Sequence, residues 1–215
     1  MMNVSTEPGE VYQLHIWICA ISPMIWRRVL VRNNTTVADL HAIIQILFGW
    51  SDDHLHQFKI RGKRYGVPHM DGIFFRDDAE TIPLSHFRFR DKERFIYEYD
   101  FGDFWQHVVR VEKRLPFKPK KTYPVCISGS QSSPLEDCGG PEALMTLRQR
   151  HSIWDLHEYI EDIREEGEVS DEINDALHSY LSFLKTWLFD RDAINRRLQL
   201  YAAGDKRWRE EDELP

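Results

Sequence analysis

Three histidines and four carboxylates in this chain have the types and spacing that metal or acid–base chemistry uses. His54 and His56 stand two apart in a stretch, residues 54–60, that reads as a strand, which predicts both imidazoles on one face. Asp100 and Asp103 flank a glycine turn, His107 follows on the next segment, and Glu136-Asp137 sit in a loop opened by Gly139-Gly140. Imidazole plus carboxylate is a ligand set for zinc, manganese or iron, with His54, His56 and Asp100 as the candidate ligands. If the segments converge, they form one composite polar site with several titratable groups, as active sites have. A structural reading competes with this one. In it the histidines bond within the sheet, the acids cap turns, and Asp137 before Gly139-Gly140-Pro141 is a loop or cap residue. Spacing alone leaves both open.

Other motifs are excluded. Asp100-Phe101-Gly102 has neither a glycine-rich phosphate loop nor a catalytic-loop signature with it, so it reads as a hairpin turn and not as part of a kinase. Cys126 and Cys138 are too far apart for a zinc knuckle and no second Cys pair accompanies them. No His-Glu-x-x-His run is present.

The elements that must position these residues are legible in the periodicity. Tyr12, Leu14, Ile16 and Ile18 alternate with His15, Trp17 and Cys19, and both faces are largely apolar, which predicts an interior strand. After Ser22-Pro23, residues 25–31 predict an antiparallel partner. Thr36 is a natural N-cap with Asp39 three residues on, and Leu40, Ile43, Ile44, Leu47 and Phe48 follow at helical spacing until Gly49. Phe95, Tyr97, Tyr99 and Phe101 predict a strand that turns at Gly102-Asp103 into a second one running to about Glu112. The alternation leaves Glu98 and Asp100 on the face opposite the rings.

From Pro141 the period is helical, and Ile173, Leu177, Tyr180, Leu181, Leu184, Trp187 and Leu188 predict a core-packing stripe on one long helix. The fold class is α+β: an antiparallel or mixed sheet with a strand–strand–helix–strand start, similar to the β-grasp arrangement, and a helical C-terminal third. The expected divisions are 10–138 for the sheet region, 139–202 for helices packed on it and 203–215 for a charged tail.

Composition sets the surroundings. The chain has 215 residues with 42% hydrophobic and 13% aromatic residues, enough for a bulky sheet-rich core without staples. A net charge of −7 opposes non-specific binding to nucleic acid or anionic membrane. Lys113, Arg114, Lys118, Lys120 and Lys121 run the other way and read as a solvated connector held extended by Pro116 and Pro119. Three cysteines, with no signal pattern, predict free thiols in a cytoplasmic protein. No apolar run is long enough to span a membrane.

Four segments stand out in order: Ile25-Trp26-Arg27-Arg28, residues 49–56 (GWSDDHLH), residues 99–107 (YDFGDFWQH) and residues 134–140 (PLEDCGG). Together they resemble the Ri-plasmid ORF-three-like family, also known as insertion-element passenger proteins, over about residues 11–150. Leu135 departs from the pattern, in which a second proline often precedes the Glu-Asp pair. The resemblance implies a setting of plasmids and mobile elements in bacterial or archaeal genomes, and no biochemical activity.

Because the passenger label sometimes includes the word resolvase, recombinase chemistry needs a direct test. Ser5 and Ser22 lie in a lead-in and a turn, and His107-Val-Val-Arg110 sits on a strand that separates the two side chains to opposite faces. Two function classes remain. The favoured one, since no compact ligand motif supports a metal enzyme, is a non-catalytic module for a protein or nucleic-acid partner of a mobile element, using Trp26, Arg27, Trp50 and Trp105 as exposed contacts. The other is a metal-dependent hydrolase built on the His/Asp cluster.

Overall fold

The computed structural model describes residues 9–67, 75–150, 153–167, 169–185 and 188–209. Its strands are β1 (Glu10–Ile18), β2 (Trp26–Arg32), β3 (His56–Ile60), β4 (Lys63–Tyr65), β5 (Arg94–Tyr99), β6 (Trp105–Pro116) and β7 (Val125–Ser130). Among the described residues they form one sheet, β4-β3-β5-β6-β1-β2-β7, antiparallel at every pairing. The fold is α+β, with the expected strand–strand–helix–strand start. β1 lies inside the sheet between β6 and β2, as its two apolar faces require.

The helix α1 (Val37–Phe48) covers one sheet face. Its start is a capping box: the Thr36 hydroxyl accepts from the Asp39 amide and the Asp39 carboxylate accepts from the Thr36 amide, each at 3.0 Å. Gly49 ends it at φ 69°, the left-handed conformation that favours glycine. Leu40, Ile43, Ile44 and Leu47 are fully buried, and burying side chains of this size contributes roughly 1.5–3 kcal/mol each. Ile46 is buried as well, because α5 (Arg191–Ala202) lies against α1. The Tyr201 hydroxyl of α5 donates to Asp39 at 2.6 Å.

The sheet treats its two faces differently. Alternate residues Leu14, Ile16, Val29, Val109, Phe58, Phe95, Tyr97 and Tyr99 are buried, whereas His15, Trp17, Trp26, Arg28, Ile96, Val108 and Arg110 are half-exposed. His107 and Arg110 lie on opposite faces of β6, the separation expected of a two-residue-period strand.

The C-terminal helices are α2 (Gly140–Arg150), α3 (Ile153–Glu166), α4 (Asp171–Lys185) and α5. The expected single long helix with a continuous core stripe is corrected here. α4 ends at Lys185, Ile173 and Tyr180 are buried, but Leu181 is exposed and so is Leu188, which lies beyond the helix. Trp187 lies outside the described residues. The expected charged tail is also partly corrected: Lys206–Arg209 form a short 3-10 turn whose Trp208 is buried against Tyr201, while residues 210–215 lie outside the described part. The three cysteines are free, and no described helix is long and apolar enough to cross a membrane.

Candidate functional site

Two histidine–carboxylate clusters occupy the region where the four segments meet. The inner one is His41, Asp52 and His56, whose ligand-capable atoms lie within 4.8 Å of one another. His41 comes from the sheet-facing side of α1 and His56 from the first position of β3, and their rings stack with centroids 3.4 Å apart and planes 6° from parallel. Asp52 comes from the loop after α1, at φ 69°, a conformation Asp adopts more readily than most residues. His41 Nδ1 meets the Tyr97 hydroxyl at 2.8 Å and its Nε2 meets Asp52 at 2.5 Å. The Gln45 amide donates to the same Tyr97 oxygen at 2.9 Å. Burial holds the Tyr97 hydroxyl well above the usual phenol range, so it remains a proton donor.

This cluster lines a cleft of about 630 Å³ that Asp39, Lys206 and Arg209 also line. Arg209 reaches Asp52 at 3.2 Å, so the C-terminal turn contributes cations to the rim.

The outer cluster is His54, Asp100 and Asp137. His54 Nε2 lies 3.1 Å from Asp137 and its Nδ1 3.9 Å from Asp100. Asp100 and Asp137 both have positive φ, 54° and 57°. The loop holding Asp137 is docked by residues of the 99–107 and 134–140 segments. The Gly139 amide donates to Asp103 at 3.0 Å, and a Cβ on Gly140 would stand 2.4 Å from the Asp103 carbonyl oxygen. Only glycine tolerates that approach. Glu136 accepts from the Ser51 amide at 2.8 Å and from the Tyr99 hydroxyl. Burial and that carboxylate push the Tyr99 hydroxyl well above the usual phenol range.

The structure therefore brings His54, Asp100, Asp103, Glu136 and Asp137 together at one end of the sheet. Two expectations are corrected. β3 begins at His56, so His54 lies in the preceding loop and the two histidines share no strand face; they serve different clusters. Asp100 does not share a face with Glu98 either. The strand ends at Tyr99, and the left-handed turn at Asp100 swings its carboxylate to the Gly102 amide, 2.9 Å away, and toward His54.

His107 belongs to neither cluster. It is wholly buried among Phe48, Trp50 and Tyr97, and burial holds its pKa down at about 3, so it stays a neutral core residue.

Three of the four side chains expected as exposed contacts are buried. Trp50 donates from Nε1 to the Pro134 carbonyl at 3.0 Å and stacks on Tyr99, and Trp105 is fully enclosed. Arg27 gives its guanidinium to the carbonyls of Leu47, Trp26 and Ser130 and to the Ser133 hydroxyl, beneath the Phe48 and Phe189 rings. It clamps helix, sheet and loop from inside. Trp26 alone of the four is partly exposed.

Sequence reasoning passed over His41, Asp52, Lys206 and Arg209. One signal was available for His41: beyond the first turn, His41 and Gln45, four apart, are the only polar residues of an otherwise apolar helix. That spacing places both side chains on one helix face. Asp52 lies in the 49–56 segment with no role assigned to it, and the C-terminal cations carry no comparable signal, because long-range tertiary placement brings them in.

Known proteins share this architecture. The chain resembles a protein of unknown function, MM3350, from Methanosarcina mazei, whose crystal structure superposes with a TM-score of 0.64 at 31% identity over 87% of this chain and 97% of that one. It is 30% identical over 134 residues to the uncharacterised protein y4hQ of Sinorhizobium fredii, a match spanning 62% of this chain and 69% of that protein. The family described as plasmid pRiA4b ORF-3-like protein matches residues 10–197, which takes in every segment of both clusters. With its fold and four motifs in that match, the chain belongs to the plasmid pRiA4b ORF-3-like family.

Proposed function

We propose that the chain is a metal-dependent hydrolase whose divalent ion is held by His41, His56 and Asp52, with a phosphoester as the substrate class. The observation that carries this reading is the histidine pair and carboxylate meeting at one wall of a cleft of about 630 Å³. Two imidazoles and one carboxylate suit zinc, manganese or iron and leave coordination positions open for water and substrate. Lys206 on the same cleft, and Arg209 beside Asp52, are the cations that would meet a phosphoester there.

The network behind His41 supports the role. Gln45 is fully buried, and its Oε1 has no hydrogen-bond partner among the described residues. Gln45 Nε2 donates to the Tyr97 oxygen, and the Tyr97 hydroxyl in turn meets His41 Nδ1, which fixes the imidazole with Nε2 on the Asp52 side. That is how a second layer of hydrogen bonds orients a ligating histidine.

The partner-binding reading retains Trp26 of its four side chains, and the plasmid in the family description is a genomic setting rather than a chemistry. Elemental analysis of protein purified without an affinity tag tests the proposal. About one equivalent of zinc, manganese or iron is expected in the native chain and none in H41A/H56A, with cleavage of a generic aryl phosphodiester following the metal. Native protein that takes up no divalent ion after dialysis against these metals ends the reading.

A further inference from the structure

The half-exposed sheet face, opposite α1, carries a different set of groups. Trp17 of β1 pairs across the ladder with Trp26 of β2, and His15 packs against both rings at 5.2 and 5.1 Å. Beside them, Arg110 of β6 lies directly opposite Arg94 of β5 and opposite His15 of β1. The acids on this face are already engaged. Glu112 is held by Arg28 at 2.6 Å and also accepts from Gln13, and Glu98 is held by Lys59 at 2.7 Å and also accepts from Gln57 and Gln106. Arg94 and Arg110 have no ion-pair partner among the described residues, although like charges directly opposite on a sheet destabilise it. The Arg110 Nε is buried with no hydrogen-bond partner among the described residues. The Arg94 guanidinium sits over the Trp17 ring at 5.6 Å and that of Arg28 over the Trp26 ring at 5.1 Å.

We infer that this face binds single-stranded RNA, with bases stacked on Trp17 and Trp26 and phosphates taken by Arg94 and Arg110. Charge complementarity names the occupant: two juxtaposed guanidiniums without an ion-paired acid call for an anion. The half-exposed tryptophans beside them, which already carry the planar guanidiniums of Arg94 and Arg28, suit a flat, unpaired base that takes the place of those planes as the arginines turn to phosphate. A duplex hides its bases from such rings. A net charge of −7 does not oppose a local patch of this kind, because screening confines its field to about 10 Å. Gln106 and Ser128 lie two residues from the positions paired with Trp17 and Trp26. Gln106 Nε2 donates to Glu98 and Ser128 Oγ accepts from Arg28, which leaves the Gln106 side-chain carbonyl as acceptor and the Ser128 hydroxyl as donor for a 2′-hydroxyl, so RNA is the commitment over DNA. The site is independent of the histidine cleft, which lies on the α1 side.

Fluorescence anisotropy with a labelled oligouridine tests it. The native chain is expected to bind the single strand about tenfold more tightly than an RNA duplex or an oligothymidine of equal length. R94A/R110A should weaken binding about tenfold or more. It should also make the slope of log affinity against log salt about 1.4 less negative, about 0.7 for each lost phosphate contact. W26A should weaken binding about fivefold or more and remove part of the tryptophan quenching seen on titration. H41A/H56A should bind RNA as the native chain does, which separates this site from the metal reading. Unchanged affinity in R94A/R110A that melts like the native chain would overturn the inference, as would equal binding of duplex or of oligothymidine. If R94A/R110A fails to fold, R94Q and W26A carry the same test.

Discussion

The two histidine clusters lie side by side and are built in opposite ways. The inner one takes both histidines from regular elements, His41 from α1 and His56 from β3, with the Tyr97–Gln45 pair behind. The outer one is loop-borne: His54 precedes β3, Asp100 closes a hairpin, and Asp137 is 75% exposed. All three carboxylates sit at positive φ, so in each cluster loops present the acids in a conformation that costs the backbone something. What differs is what holds the imidazole. A ligand on a packed helix keeps its geometry through the core, whereas one on a loop depends on its own hydrogen bonds. The inner cluster is therefore the better preorganised site.

The largest effect that sharpens this contrast comes from the floor of the inner cluster. Leu40→Ala and Ile44→Ala should each cost about 2–5 kcal/mol, since both side chains are fully buried between α1 and the sheet. Urea denaturation measures this, and losses under about half a kcal/mol for both would mean that the core does not anchor His41.

Acid should act next, through His107 behind the same helix. Its folded pKa of about 3 lies below the usual histidine value of 6.5, so the unfolded chain binds the proton first. The contribution is complete above about pH 6.5 and is lost as pH falls toward 3, about 3 kcal/mol between pH 7 and pH 4. His107→Phe should flatten that part of the profile in urea titrations; an unchanged slope would show that another group is responsible.

Tyr97→Phe removes the hydroxyl that orients His41 while leaving the ring. Metal affinity should drop about 10–100-fold, the usual effect of losing an orienting partner, while His54→Ala leaves it unchanged. Calorimetric titration that finds the two variants reversed would move the site to the outer cluster. The smallest effect is expected at Asp137→Asn, which keeps a residue suited to the positive φ, below about half a kcal/mol by thermal melting, because the His54 contact is made in solvent. A larger loss would show that the outer cluster holds the loop in place.

Local patterns carried much of this fold. The capping box at Thr36, the stop at Gly49, the β1–β2 pairing and the β5–β6 hairpin are all written in neighbouring residues, because caps, turns and two-residue alternation act over a few positions. The reading failed where that range ends. The 54–60 stretch looks like a continuous strand, yet pairing with β5 starts at His56↔Tyr99, so His54 falls outside the ladder. Trp50, Trp105 and Arg27 looked like contacts because large amphipathic side chains mark interfaces. Here each found its polar partner or its ring stack inside the molecule.

By itself the sequence determined the α+β class, the helix α1 with its ends, the family and the set of residues from which a site had to be drawn. Only the tertiary structure decided how that set divides. It stacked His41 on His56, brought Arg209 across to Asp52 from the far end of the chain, and sank His107 into the core. The physical reason is that side-chain type and spacing specify what a residue can bond, while its partner is set by packing between elements distant in sequence.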